Sequence, residues 1–168
     1  MNEREFAGTR VPVGVIGPRE ATDAQYAAAR DVGRGLARMG LAVMCGGRSG
    51  VMQAACEGAA QAGGVAIGVL PGPDASEANP YATYVIATGL GEARNAVIAR
   101  ASLCVVVIGD SFGTLSEVAL ARQFGKLVVG LEGAARVDGV VHAASVDDAL
   151  AHVARCARGL VEPGPDRG

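Results

Sequence analysis

A three-layer α/β fold, in which helices cover both faces of a doubly wound parallel sheet of about six to seven strands, is what this sequence predicts. Three observations predict it. Short β-rich runs alternate with helical patterns along the chain, the order that builds βαβ units. Half of the 168 residues are hydrophobic, yet only 4% are aromatic and there is no Trp. The core is therefore made of Ala, Val, Leu and Ile, which suits helices packed closely on a parallel sheet. The 25 Gly have no collagen-like period and cluster where predicted strands end, marking tight turns and close backbone approach. These features describe a single Rossmann-like domain over residues 1–160, followed by a Pro- and Gly-containing tail, 161–168, expected to be disordered.

Each element follows in order. Residues 11–16 read as the first strand, ending in the turn Gly17-Pro18-Arg19. Thr22 and Gln25 form a capping box for the first helix, whose apolar stripe is Tyr26, Ala29, Val32, Leu36 and Met39, closed by Gly40. Residues 41–45 make the second strand, and Gly46-Gly47-Arg48-Ser49-Gly50 leads into a helix reaching about residue 62. That helix is small or apolar on nearly every side, so burial is expected, in part against another subunit. Residues 65–70 form the third strand. The segment 71–81 carries three prolines and is long enough to be a lid. A fourth strand at 84–87 and a helix at about 91–101 follow. Residues 103–108 are the most hydrophobic strand and are expected to be central. After the loop 109–113 come a helix at 114–124, a strand at 127–131, a short edge strand at 140–142 and a last helix from Ser145.

Bulk properties narrow the function classes. A net charge of -2 and a pI near 5.7 supply no basic field to hold nucleic acid. Mean hydropathy is +0.30, but no apolar run approaches the ~20 residues of a spanning helix. The first residues, Met1-Asn2-Glu3-Arg4-Glu5, lack the pattern of a signal peptide, and a cytoplasmic protein is expected. Cys45, Cys56, Cys104 and Cys156 form no C-x-x-C pair and sit in apolar segments, as buried thiols in a reducing compartment do. His142 and His152 have no ligand types at metal spacing, so no metal site is expected.

In an open parallel sheet, loops leaving the carboxyl ends of strands share one edge, and ligands bind there. The candidate residues are therefore Gly17 and Arg19, then Gly46 to Gly50, the segment 71–81, the turn 89–94, and the stretch 109–117. Gly46-Gly47-Arg48-Ser49-Gly50 joins a strand to a helix, where glycines admit a phosphate to backbone N–H groups beside the positive helix end. It is neither a dinucleotide fingerprint nor a Walker loop, so neither NAD binding nor ATP hydrolysis is expected. Arg94 stands in a first helical turn, against the helix dipole. Arg19 and Arg48 also lie near helix starts on this edge, and convergence on one anion accounts for all three. Thr114-Leu115-Ser116-Glu117 reads in two ways: as a capping box, or as a carboxylate facing arginines that holds sugar hydroxyls or a water for glycosidic cleavage.

Residues 43–131 resemble the LOG (Lonely Guy) family, often labelled "possible lysine decarboxylase", and its sister group of molybdenum-cofactor carrier proteins. The matching pieces are Gly46-Gly47, Gly50-Val51-Met52, Ala62-Gly63-Gly64, Ile67-Gly68-Val69-Leu70-Pro71, Arg94-Asn95 and Gly113-Thr114-Leu115-Ser116-Glu117. The resemblance implies a homodimer or homotetramer that takes a small phosphorylated ligand. LOG enzymes hydrolyse cytokinin nucleoside 5′-monophosphates to free base and ribose 5-phosphate with an arginine and a glutamate. Those roles fall on Arg94 and Glu117, with Gly47, Gly50, Gly113 and Thr114 donating to the phosphate.

The departures point to the carrier-like branch. Asn95 replaces the LOG lysine, and Asp110-Ser111-Phe112 replaces the small residues before Gly113, placing a negative charge near the implied phosphate. The first glycine loop is also one residue shorter. A bound nucleotide or molybdenum cofactor, carried or sensed without turnover, is the expectation, with no cofactor required for the fold; phosphoribohydrolase activity is the alternative. Lysine decarboxylation is not expected, because Lys126 is the only lysine and lies at the edge opposite the cleft, where it cannot form the pyridoxal Schiff base.

Overall fold

The structure, a computed structural model, describes residues 3–160. The tail 161–168, expected to be disordered, lies outside the described residues. The elements are β1 (Val13–Ile16), α1 (Asp23–Arg38), β2 (Val43–Cys45), α2 (Val51–Gln61), β3 (Ala66–Leu70), β4 (Tyr84–Ala87), α3 (Arg94–Ala101), β5 (Val105–Ile108), α4 (Phe112–Gln123), β6 (Val128–Leu131), β7 (Val141–His142) and α5 (Val146–Ala157). The seven strands form one sheet in the order β4-β3-β2-β1-β5-β6-β7, and every pair is parallel.

Side-chain alternation along the strands builds two cores. Val13, Val15, Val43, Cys45, Val106, Ile108 and Val129 point to the face covered by α1, α2 and α5. Ile16, Met44, Val69, Val105, Val107 and Val128 point to the face covered by α3 and α4. Strands buried on both faces read as continuous apolar runs, which is why β5 is Val-Val-Val-Ile. It is interior, flanked by β1 and β6, but the middle strand of the seven is β1; the expectation that β5 is central is off by one position.

The expected Thr22–Gln25 capping box starts α1. Two other boundaries differ from expectation. A 3-10 turn over Gly91–Ala93 precedes α3, which begins at Arg94. Helix α4 begins at Phe112, not Thr114, because Ser111 is its cap: the Ser111 hydroxyl accepts from the Thr114 N–H at 3.2 Å. Thr114 is thus inside the helix, and the Thr114–Glu117 capping box does not form.

Helix α2 is buried, and its partner is α1 within the same chain. A Cβ at Gly33 would run into the Ala55 carbonyl, and one at Gly58 into the Arg30 carbonyl. Two helices can approach so closely only where a side chain is absent. Among the described residues no helix is long and apolar enough to cross a membrane.

Candidate functional site

The chain runs outward from β1 through β2 and β3 to β4, then returns to place β5 on the other side of β1. The order reverses between β1 and β5, and a doubly wound sheet opens its ligand crevice at the carboxyl ends of such a pair. Gly17 ends β1 at that point and is buried, with no room for a Cβ against the Ile108 carbonyl and Val51. Arg19 is exposed just beyond it.

The glycine loop is built for close approach. Gly47 and Gly50 have φ of +75° and +63°, backbone that L side chains rarely adopt. No side chain caps α2, whereas Thr22, Ser111 and Ser145 cap α1, α4 and α5. The Val51 N–H, first of the helix, donates to the Pro18 carbonyl at 3.1 Å, and the positive end of the helix dipole lies at this loop. Met52 is buried in the first turn, and a Cβ on Gly46 would touch its sulfur at 2.6 Å and the Arg94 guanidinium at 2.7 Å. The Ser49 hydroxyl donates to the Arg19 carbonyl at 3.0 Å, tying the two loops together.

Arg94 is the centre of a polar cluster. Its guanidinium donates to the Gly46 carbonyl (2.7 Å), the Val69 carbonyl (2.6 Å) and the Asn95 side-chain oxygen (2.7 Å). It thus pins the carboxyl ends of β2 and β3 to the start of α3, and carbonyl dipoles offset its unfavourable place at a helix start. Asn95, itself buried, donates to the Ser116 hydroxyl at 3.2 Å, and Ser116 donates to the Gly113 carbonyl at 2.6 Å. Burial pushes the Arg94 guanidinium down from its ordinary value; the Glu117 charge opposes this, and the charges of Arg48 and Arg19 add to it.

Glu117 is only 8% exposed, on the inner side of α4. Burial raises its carboxyl to about 7, against the pull of Arg94. Around it, Thr114 is buried and its hydroxyl pairs with Ser111 at 2.8 Å. Gly113 is exposed, and open space lies where its Cβ would stand. Asp110 and Ser111 are exposed at the rim. The structure thus gathers Arg94, Asn95, Gly46 and Glu117 closely, and leaves Arg19, Asp110 and Ser111 as outer groups.

The segment 71–81, long enough for a lid by its sequence, forms a strap, and sequence reading missed how it is tied to the glycine loop. Residues 71–83, with a 3-10 turn at Ala75–Glu77, close over the glycine loop. The Asn79 N–H donates to the Gly47 carbonyl at 2.9 Å and its side chain to the Arg48 carbonyl at 3.1 Å. Arg48 is paired with Glu77 at 3.5 Å, so part of its charge is already met. The one signal in the sequence was an amide in an otherwise loop-like, Pro-rich run. Two hollows, of about 490 and 570 Å³, lie on the opposite edge beside Arg38 and Leu41 and beside Arg34 and Leu150. The first is bounded by residues that end α1 and α2, where the helix dipole disfavours an anion, so the carboxyl edge is the better site.

A parallel doubly wound sheet with a glycine loop, a half-buried arginine and a buried glutamate at its carboxyl edge defines a Rossmann-like protein. The sequence profile of the SLOG cluster4 family matches residues 10–158, and the chain belongs to that family. A molybdenum cofactor binding protein from Rippkaea orientalis superposes with a TM-score of 0.82 at 33% identity, over 88% of this chain and 98% of that one. The molybdenum cofactor carrier protein of Chlamydomonas reinhardtii gives 0.81 at 38% identity, over 89% and 99%. An uncharacterized protein of Archaeoglobus fulgidus is 36% identical over 128 residues, covering 76% of this chain and 84% of its own.

Proposed function

We propose that this protein binds a phosphorylated, nucleotide-like ligand at the carboxyl edge of its sheet and carries it without turnover, the molybdenum cofactor being the favoured cargo. The observation that carries this reading is the glycine-loop start of α2, where no side chain caps the helix, Gly47 and Gly50 hold positive-φ backbone, and Arg19 and Arg48 stand beside it. This arrangement fits a phosphate group. The likeness to carrier proteins over nearly their whole length supports the choice of cargo. The backbone of 46–50 with Arg19 and Arg48 would hold the phosphate; Arg94 would set the loop that receives it. The molybdenum chemistry itself belongs to the enzymes that use the cofactor, and the carrier's task is to shelter it.

The test is co-elution of released molybdenum cofactor with the protein in size exclusion, read by molybdenum analysis and pterin fluorescence. Near-stoichiometric retention, weakened about tenfold in Arg19→Ala or Arg48→Ala, is the expected result. Retention equal to that of an unrelated protein would sink it.

One observation favours turnover. A buried carboxyl poised near neutrality beside an arginine is suited to general acid–base work. Release of free base from nucleoside 5′-monophosphates, abolished in Glu117→Gln, would establish a phosphoribohydrolase. The same protein is expected to work as a homo-oligomer, through the apolar outer side of α3 and α4.

A further inference from the structure

Beneath the glycine loop lie two thiols that the ligand site does not use. Cys45 ends β2 and Cys56 stands in the middle of α2; both are fully buried, and their sulfurs are 3.4 Å apart. Neighbouring groups already tie them to the loop and to the strap. The Gly47 N–H donates to the Cys45 sulfur at 3.4 Å, and the Asn79 side chain donates to the Cys56 sulfur at 3.6 Å. We propose that Cys45 and Cys56 form a redox-active dithiol, oxidised by a small peroxide to a disulfide that changes the set of the glycine loop and its strap.

The chemistry is favourable at this pair. The Cys45 thiol is pushed up by hydrogen bonding to Cys56 and by burial, and the Met52 carbonyl lies within reach of it at 3.7 Å. Cys56 is held below the ordinary thiol range by that same hydrogen bond, against the opposing effect of burial, with Asn79 assisting. The Asn79 amide directed at its sulfur and its place beneath the strap select Cys56 as the nucleophile. Its sulfur attacks one oxygen of hydrogen peroxide; the O–O bond breaks, an S–O bond forms, and hydroxide leaves with the proton of Cys45. The Cys45 sulfur then attacks the sulfenic sulfur, the S–O bond breaks, the S–S bond forms, and hydroxide is expelled and takes up a proton from solvent. Two thiols lose two electrons and one peroxide becomes two waters. Small thiols reverse it, as transient cytosolic disulfides require.

Burial sets the access route. Asn79 covers Cys56 from the strap, so peroxide reaches the sulfurs when the strap lifts. In the disulfide both sulfurs are poorer acceptors, and Gly47 and Asn79 lose partners. This inference does not depend on the identity of the cargo, and its test contains none.

The test treats the full chain with hydrogen peroxide, blocks remaining thiols, and maps tryptic fragments without reduction. Fragments 39–48 and 49–94 are expected joined, with the mass loss of two hydrogens, and separated again by dithiothreitol. Hydrogen exchange of segments 46–50 and 71–83 is expected to quicken in the oxidised protein. Glu77→Ala, which frees the strap from Arg48 and keeps the Asn79–Cys56 contact, is expected to speed cross-linking several-fold. A link confined to Cys104 and Cys156, or irreversible oxidation of single thiols, would overturn the pairing. Unchanged exchange would overturn its effect on the loop, and an unchanged rate in Glu77→Ala would overturn the access route.

Discussion

Glu117 and Arg94 are charges that the fold has drawn out of water, and the cost appears as pH dependence. Glu117 titrates near 7 when folded and near 4.5 when unfolded. Between those values the folded chain keeps a proton that the unfolded chain has lost, so stability falls as pH rises from about 4.5 to 7 and then levels off. The fall amounts to about 3 kcal/mol. Glu117→Gln removes the titration and keeps the shape. Its urea midpoint is expected to match the wild type near pH 4.5 and to exceed it increasingly toward pH 8; parallel pH profiles would show that Glu117 is not buried as a free acid. Arg94 behaves differently, because it spends its donors on two backbone carbonyls and Asn95. Arg94→Lys keeps a charge but cannot bridge β2, β3 and α3, and is expected to cost about 2 kcal/mol by thermal denaturation. At this scale the sequence was partly legible. Arg94 and Glu117 stood out as a charge against a helix dipole and a carboxylate at the same edge. The capping of α4 was not, because Ser111 and Thr114 are spaced so that either can begin a helix, and only the extended backbone at Ser111 decides it.

Glycine separates packing from function among the elements. Gly33 lets α1 lie against α2, and the carbonyl that a Cβ would strike is rigid backbone. Gly33→Ala should therefore destabilise by roughly 1–3 kcal/mol, read from denaturant midpoints. Gly113 is the contrasting case: it sits in the first turn of α4 with open space above it. Gly113→Ala is expected to hold or raise stability by a few tenths of a kcal/mol while weakening cargo retention, because the added methyl occupies the approach to the helix start. Loss of stability instead would make Gly113 a packing glycine. The order of elements was readable because parallel strands buried on both faces leave unbroken apolar runs between glycine turns. The strap's length was readable, but its hold on the glycine loop was not, because it runs mainly through backbone groups and one amide, Asn79, which carry no periodic signal.

For the whole molecule, the sequence predicts that α2 is buried, in part against another subunit, and within the chain α1 covers it. Helix α2 is satisfied by α1, whereas α3 and α4, which pack together on the other face, keep apolar residues turned outward. Phe112 is 94% exposed, and Leu115 and Val97 are also in contact with water. On the edge strand β4, Tyr84 (63% exposed) and Ile86 extend the apolar surface. Scattered apolar residues are ordinary on a monomer; the homo-oligomer proposed above would be built on this layer. A second copy covering it would need to bury about 800 Å² from each partner to be stable. Sedimentation equilibrium at micromolar concentration is expected to show a dimer or tetramer. Paired Val97→Asp and Phe112→Asp substitutions would place charges at that face, and are expected to give a monomer with unchanged far-ultraviolet circular dichroism. A wild-type monomer at high concentration would remove the interface. An oligomer that survives both charges would move it to the free edge of β4, where Tyr84→Asp becomes the deciding variant.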